Sequence, residues 1–173
     1  MSDTDQVSAA DAATEAEQND GLPIEIRRAG AGDLAGVVAI DAEVTGNAKL
    51  EYWQDIFERY GSRRLNERFF LVALGDGGER DGDILGYMVG EIRTWEFGSE
   101  PCGWIFGFAV DPSARLARIG EKLFQAITDE FRNAGVRTMR TMVLRQEQLP
   151  MGFFRSEGMV AGPYIQLEKE LDD

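Results

Sequence analysis

The residues best suited to chemistry lie in one stretch, 107–123, with the sequence GFAVDPSARLARIGEKL. An apolar run stops at Asp111-Pro112, a short segment carries Arg115 and Arg118, and Gly120 opens a helical pattern. The first turn of a helix leaves backbone N–H groups unpaired, and its dipole favours negative charge. A glycine there lets an anion approach the main chain closely, and arginines add charge-assisted hydrogen bonds. The arrangement suits a phosphate, although taken alone it also fits an ordinary solvated helix start. Other chemistry is excluded by composition. The chain has no histidine, so Ser-His-Asp and Cys-His nucleophile pairs, HExxH sites and Cys/His zinc sites are ruled out, and no metal is expected. Cys102 is the single cysteine and forms no intrachain disulfide, which points to a reducing, cytoplasmic setting.

The elements that must position this stretch follow from periodicity. Residues 22–29 alternate over Ile24 and Ile26 as a half-buried strand. Asp33 caps a first helix carrying Leu34, Val37, Val38 and Ile40, and a second helix over 49–60 ends at Gly61. Strands are expected over 69–74 and 84–94, joined by the turn GDGGERDGD, and a third over 103–110. A helix over 118–134 places Ile119, Leu123, Ile127 and Phe131 on one face, with Gly135 as its C-terminal cap. A strand over 138–144, a short helix over 149–157 and a last alternating strand over 164–171 complete the order. The fold class is therefore α+β (mixed α/β), layered around one sheet.

The 173 residues suffice for one domain with a real core. The formal charge of −13 argues against a nucleic-acid surface, which needs bases to neutralise phosphates. Six acids and no base fall within residues 1–20, beside one large aliphatic, Val7, which is the composition of a disordered acidic tail. The folded domain is expected over 21–173. No stretch approaches the roughly eighteen apolar residues of a membrane span. The N-terminus has neither the basic start nor the apolar run of a signal peptide.

The stretch around 107–123 also resembles the GNAT family of acetyl-CoA-dependent N-acetyltransferases. That family ends a strand in V-x-P and opens a long helix with Q/R-x-x-G-x-G/A; here stand Val110-Asp111-Pro112 and Arg115-Leu116-Ala117-Arg118-Ile119-Gly120. A later family pattern, N-x-x-A-x-x-F-Y-x-x-x-G-F, is matched loosely by Glu147 to Met159. The element order fits from Ile24 to Leu171. The resemblance implies a central, mostly antiparallel, twisted sheet of about six to seven strands flanked by about four helices. It implies acetyl-CoA as co-substrate, with the pyrophosphate on the amides of Arg115, Leu116, Ala117, Arg118, Ile119 and Gly120. The pantetheine arm would lie along Phe108, Ala109 and Val110, beside Phe154. The Val110 N–H would act as oxyanion donor. Direct attack by a neutral amine on the thioester follows, with the thiolate of coenzyme A leaving.

Three departures accompany the match. Arg118 replaces a glycine and is expected to swing out towards a phosphate. Glu147 replaces an asparagine and is not a cofactor ligand. Phe154 stands where the family's tyrosine acid would be, so water, or a hydroxyl of Tyr164 or Tyr87, would protonate a thiolate whose reference pKa is about 8.5. Without histidine the base is a carboxylate: Glu91 on a strand, with Asp41 and Glu43 as the other choices. Residues 41–53 are expected to shape the acceptor pocket; their aromatics Tyr52 and Trp53, with Phe57, mostly serve the core, and one facing the cleft would favour an aromatic or hydrophobic amine. A small-molecule amine is the expected partner, against a protein lysine or N-terminal amine. The other reading is a non-catalytic acyl-CoA sensor. Open strand edges also allow a homodimer.

Overall fold

A computed structural model describes residues 23–171, the side chains at 115 and 116 excepted. The acidic stretch 1–20 lies outside the described residues. The described chain divides between residues 142 and 143 into two compact units.

The first unit is built on a five-stranded sheet of order β1-β2-β3-β4-β5. Its strands are β1 (Ile24–Arg28), β2 (Arg68–Gly75), β3 (Ile84–Arg93), β4 (Cys102–Val110) and β5 (Met139–Thr141). Neighbours are antiparallel except β4 and β5, which run parallel. A parallel pair needs a long crossover, and helix α3 (Ile119–Asn133) supplies it. Its stripe of Ile119, Leu123, Ile127 and Phe131 is fully buried, as the four-residue spacing requires. Glycines under the helix let it sit close. A Cβ on Gly90 would come within 2.9 Å of Ile127 and Phe131, and one on Gly103 within 2.4 Å of the Phe131 ring.

The other face carries α1 (Leu34–Thr45) and α2 (Leu50–Ile56), the latter continuing into a π-helical turn, Phe57–Gly61. Val37, Ile40, Trp53 and Ile56 pack there with Phe70, Val72, Tyr87 and Val89. The two faces follow from the pleat: Tyr87 and Val89 point one way, Met88 and Gly90 the other. Asp33 sits at the start of α1 without capping it. Its carboxylate instead accepts from the Gly30 N–H at 2.6 Å and from both Arg27 Nη atoms at 2.7 and 2.9 Å.

One irregularity shapes β4. The register passes from Val89↔Gly107 to Gly90↔Ile105, so Phe106 is an extra residue, a β-bulge. Before the bulge, Gly103 and Ile105 turn towards β5: the Gly103 N–H donates to Thr138 O, and Ile105 O accepts from Thr141 Oγ1. After it the phase reverses, because the Asp111 N–H donates to Leu85 O. By alternation, the N–H groups of Phe108 and Val110 point away from β3.

The second unit, 143–171, contains α4 (Gln148–Ser156), with Gly158 in the left-handed conformation just after it. Phe154 is buried, and its ring meets Phe153 edge-on at 5.2 Å.

Three expectations need correction. The sheet has five strands rather than six to seven. The strand expected over 138–144 is three residues long, because its ladder with β4 ends where the bulge bends that strand. The alternating segment 164–171 forms no strand, and Ile165 and Leu167 are exposed. Alternation says which face a strand would bury, not whether a neighbour exists to complete its ladder.

Candidate active site

A cleft of about 290 Å³ opens on the face carrying α1 and α2. Asp41, Lys49, Tyr52, Trp53, Tyr87 and the bulge segment 106–108 line it. Its centre is the Asp41 carboxylate, placed by the last turns of α1 and only 3% exposed. Trp53 Nε1 donates to Oδ2 at 2.9 Å, and the Tyr87 hydroxyl to Oδ1 at 3.3 Å. Lys49 Nζ lies 3.2 Å from Oδ1 and 3.0 Å from Oδ2. Burial first, and then the Asp41 charge, push the Tyr87 hydroxyl far above its ordinary pKa, so it stays protonated as a donor. Burial likewise raises Tyr52, which Lys49 partly offsets. Tyr52 and Trp53 meet edge-on at 5.1 Å, and Trp53 and Tyr87 at 4.7 Å.

The segment that floors the cleft runs on into the edge carrying the Val110 N–H. Asp111 then ends β4, and its carboxylate accepts from the Ser113 N–H at 2.8 Å, starting the 3-10 turn Pro112–Ala117. Arg80 Nη2 holds the other oxygen of Asp111 at 2.6 Å, tying the β2–β3 turn to this junction. Burial raises the Asp111 carboxyl, but the bonds from Arg80 and Ser113 outweigh it and hold the group below the usual carboxylate range. Arg118 adopts the left-handed conformation, φ 55°, between the 3-10 turn and α3. Its Nε donates to Glu121 Oε2 at 2.8 Å, so the guanidinium pairs within the first turn of its own helix.

The family model described as acetyltransferase (GNAT) family matches residues 34–156. The chain belongs to the GNAT family. No curated sequence is significantly similar to it. Several solved structures share the fold. The aminoglycoside N-acetyltransferase AAC(6')-Iy in complex with CoA is 17% identical with a TM-score of 0.73, over 87% of this chain and 96% of that one. Glucosamine-6-phosphate N-acetyltransferase from Arabidopsis thaliana is 20% identical with a TM-score of 0.66, over 87% and 99%. A transcriptional regulator from Bacillus halodurans C-125 is 19% identical with a TM-score of 0.69, over 86% and 100%.

In this GNAT acetyltransferase the residues singled out from sequence fall in separate places. Glu91 is on β3 opposite Trp104, on the same face as Tyr87 and about 13 Å along the strand from it. Its Oε1 accepts from Arg93 Nε at 2.9 Å and its Oε2 from the Tyr60 hydroxyl at 3.0 Å. The Tyr60 ring packs edge-on against Phe106 at 4.9 Å, which connects Glu91 to the cleft floor. Burial first, and Glu91 second, raise the Tyr60 pKa. Tyr164 and Phe154 belong to the second unit, and Tyr164 is half-exposed there. Cys102 starts β4, buried, and accepts from Arg140 Nη1 at 3.3 Å. Among the described residues no group of His, Cys, Asp and Glu is arranged to hold a metal, and no helix is long and apolar enough to cross a membrane.

Two participants escaped the sequence reading. Lys49 fell within the segment 41–53 expected to shape the acceptor pocket but had no role of its own there, and its meeting with Asp41 depends on how α2 folds back on α1. Tyr60 sits at the end of an amphipathic pattern, so its link to a strand 31 residues away is tertiary.

Proposed function

We propose that this acetyltransferase moves an acetyl group from acetyl-CoA to a primary amine of a small molecule. One observation carries the reading. The segment flooring the aromatic cleft continues directly into the β4 edge where Val110 turns its N–H away from β3. An acceptor in the cleft and a thioester along that edge would share the same strand. In this reading the pantetheine arm lies along Phe108–Val110, and the pyrophosphate rests on the amides of 115–120 at the start of α3. The neutral amine attacks the thioester carbon, and the Val110 N–H stabilises the developing oxyanion. The carbon–sulfur bond breaks, and the thiolate leaves. Glu91, with Tyr60 ordered against it, accepts the proton released from the amine by way of water. Water protonates the thiolate, since Phe154 offers no hydroxyl.

Thiol release from acetyl-CoA, followed against aryl and alkyl amines and lysine peptides, tests this. Turnover with small amines but not peptides is the expected result. A non-catalytic acyl-CoA sensor is the second reading, favoured by Phe154 and by the Arg118–Glu121 pair at the proposed phosphate site. Thermal stabilisation by acetyl-CoA without turnover of any acceptor would select it.

A further inference from the structure

We propose that Asp41 anchors a second, non-reacting ammonium group of the acceptor, and that Lys49 holds that place until the acceptor displaces it. The inference rests on the acetyltransferase reading and narrows its substrate class to diamines. Of the three side chains bonded to the Asp41 carboxylate, two are fixed: Trp53 and Tyr87 are buried and packed edge to face. The third differs. The Lys49 side chain is 41% exposed, whereas that of Asp41 is 4% exposed. A pair with one solvated, flexible partner contributes little and exchanges readily. Leaving the buried carboxylate with no cation is costly, however. The site therefore takes one cation at a time, either the lysine's or an incoming one.

The surroundings suit a replacement ammonium. Lys49 Nζ sits 5.8 Å from the centroid of the Tyr52 ring, so a cation in its place meets both a carboxylate and an aromatic face. Position and chemistry together exclude this cation as the nucleophile. The attacking amine must be the uncharged base, whereas a carboxylate beside an aromatic face selects the charged form. The reacting amine then lies further along the cleft, towards Phe106 and Phe108, where the floor continues into the β4 edge. An apolar or aromatic linker between the two nitrogens would lie against Tyr52 and Phe106.

Calorimetric titration with 4-(aminomethyl)benzylamine and with its uncharged isostere, 1,4-benzenedimethanol, tests the anchor apart from catalysis. The protein is used at full length as wild type, Lys49→Met and Asp41→Asn. Wild type should favour the diamine by about tenfold. Lys49→Met should widen that preference by a further factor of about three, because the resident competitor is gone. Asp41→Asn should abolish it. An unchanged or narrowed preference in Lys49→Met overturns the proposal, and that variant alone decides should Asp41→Asn fail to fold. Thiol release in the same samples judges the acetyltransferase reading separately: absent turnover with a widened preference would sink that reading and keep the anchor.

Discussion

Glu91 carries the proposed proton transfer, and its setting makes the proposal sharp. Arg93 and Tyr60 occupy one carboxylate oxygen each, so the side chain is held in one place on the rigid centre of the sheet. A base matters most when the amine arrives protonated and least when the free amine already dominates. Glu91→Gln should therefore lower kcat/KM by about a hundredfold near pH 6.5 and far less near pH 9.5. A uniform loss across the pH profile rejects the role. Tyr60→Phe removes the hydroxyl and keeps the ring against Phe106. It should reproduce the same tilt more weakly if Tyr60 orders Glu91, and leave the profile flat if the tyrosine only packs.

At the scale of elements, Arg118 shows how a departure from a family pattern is resolved. The position has φ 55°, a conformation that suits glycine and strains any residue with a Cβ. The Glu121 pair offsets part of that strain but is solvent-exposed and weak. Arg118→Gly should therefore raise stability by up to about 1 kcal/mol, read as a higher Tm; a fall would show that the ion pair outweighs the strain. Gly103→Ala should do the opposite. Its Cβ would meet the Phe131 ring at 2.4 Å, and overpacking of this kind costs about 1–3 kcal/mol. These elements also show what was readable beforehand. The α3 stripe, the β2–β3 hairpin and the junction between β4 and α3 are local patterns, legible from spacing alone. The bulge at Phe106 was not legible, because it is a mismatch between two strands rather than a property of either. It nevertheless decides which amides of β4 face outward. The cleft is a mixed case: Asp41, Lys49 and Trp53 fall in the segment 41–53 singled out from sequence, whereas only tertiary packing brings Tyr87 of β3 to them.

For the whole molecule the question is what acid does to it. The chain carries a formal charge of −13, yet among the described residues two carboxylates are held strongly by arginines. The Arg27 hydrogen bond to Asp33 outweighs the opposing effect of burial and, with the Gly30 N–H, draws the Asp33 carboxyl below its ordinary range. Asp111 is lowered by Arg80 and Ser113 against its own burial. A folded pKa below the unfolded one means that each group contributes stability above about pH 4, its unfolded value. That contribution is lost as pH falls through the lower folded value. These pairs join separate pieces of chain: Arg27–Asp33 links the end of β1 to the start of α1, and Arg80–Asp111 links the β2–β3 turn to the end of β4. Their loss should open the chain at both junctions, including the one where the proposed cofactor edge turns into the phosphate site. Urea midpoints should hold steady from about pH 7 to 5 and fall steeply below about pH 4. Asp111→Asn should lower the midpoint at neutral pH and flatten the acid limb. A variant curve parallel to wild type throughout would assign acid sensitivity to the remaining carboxylates instead.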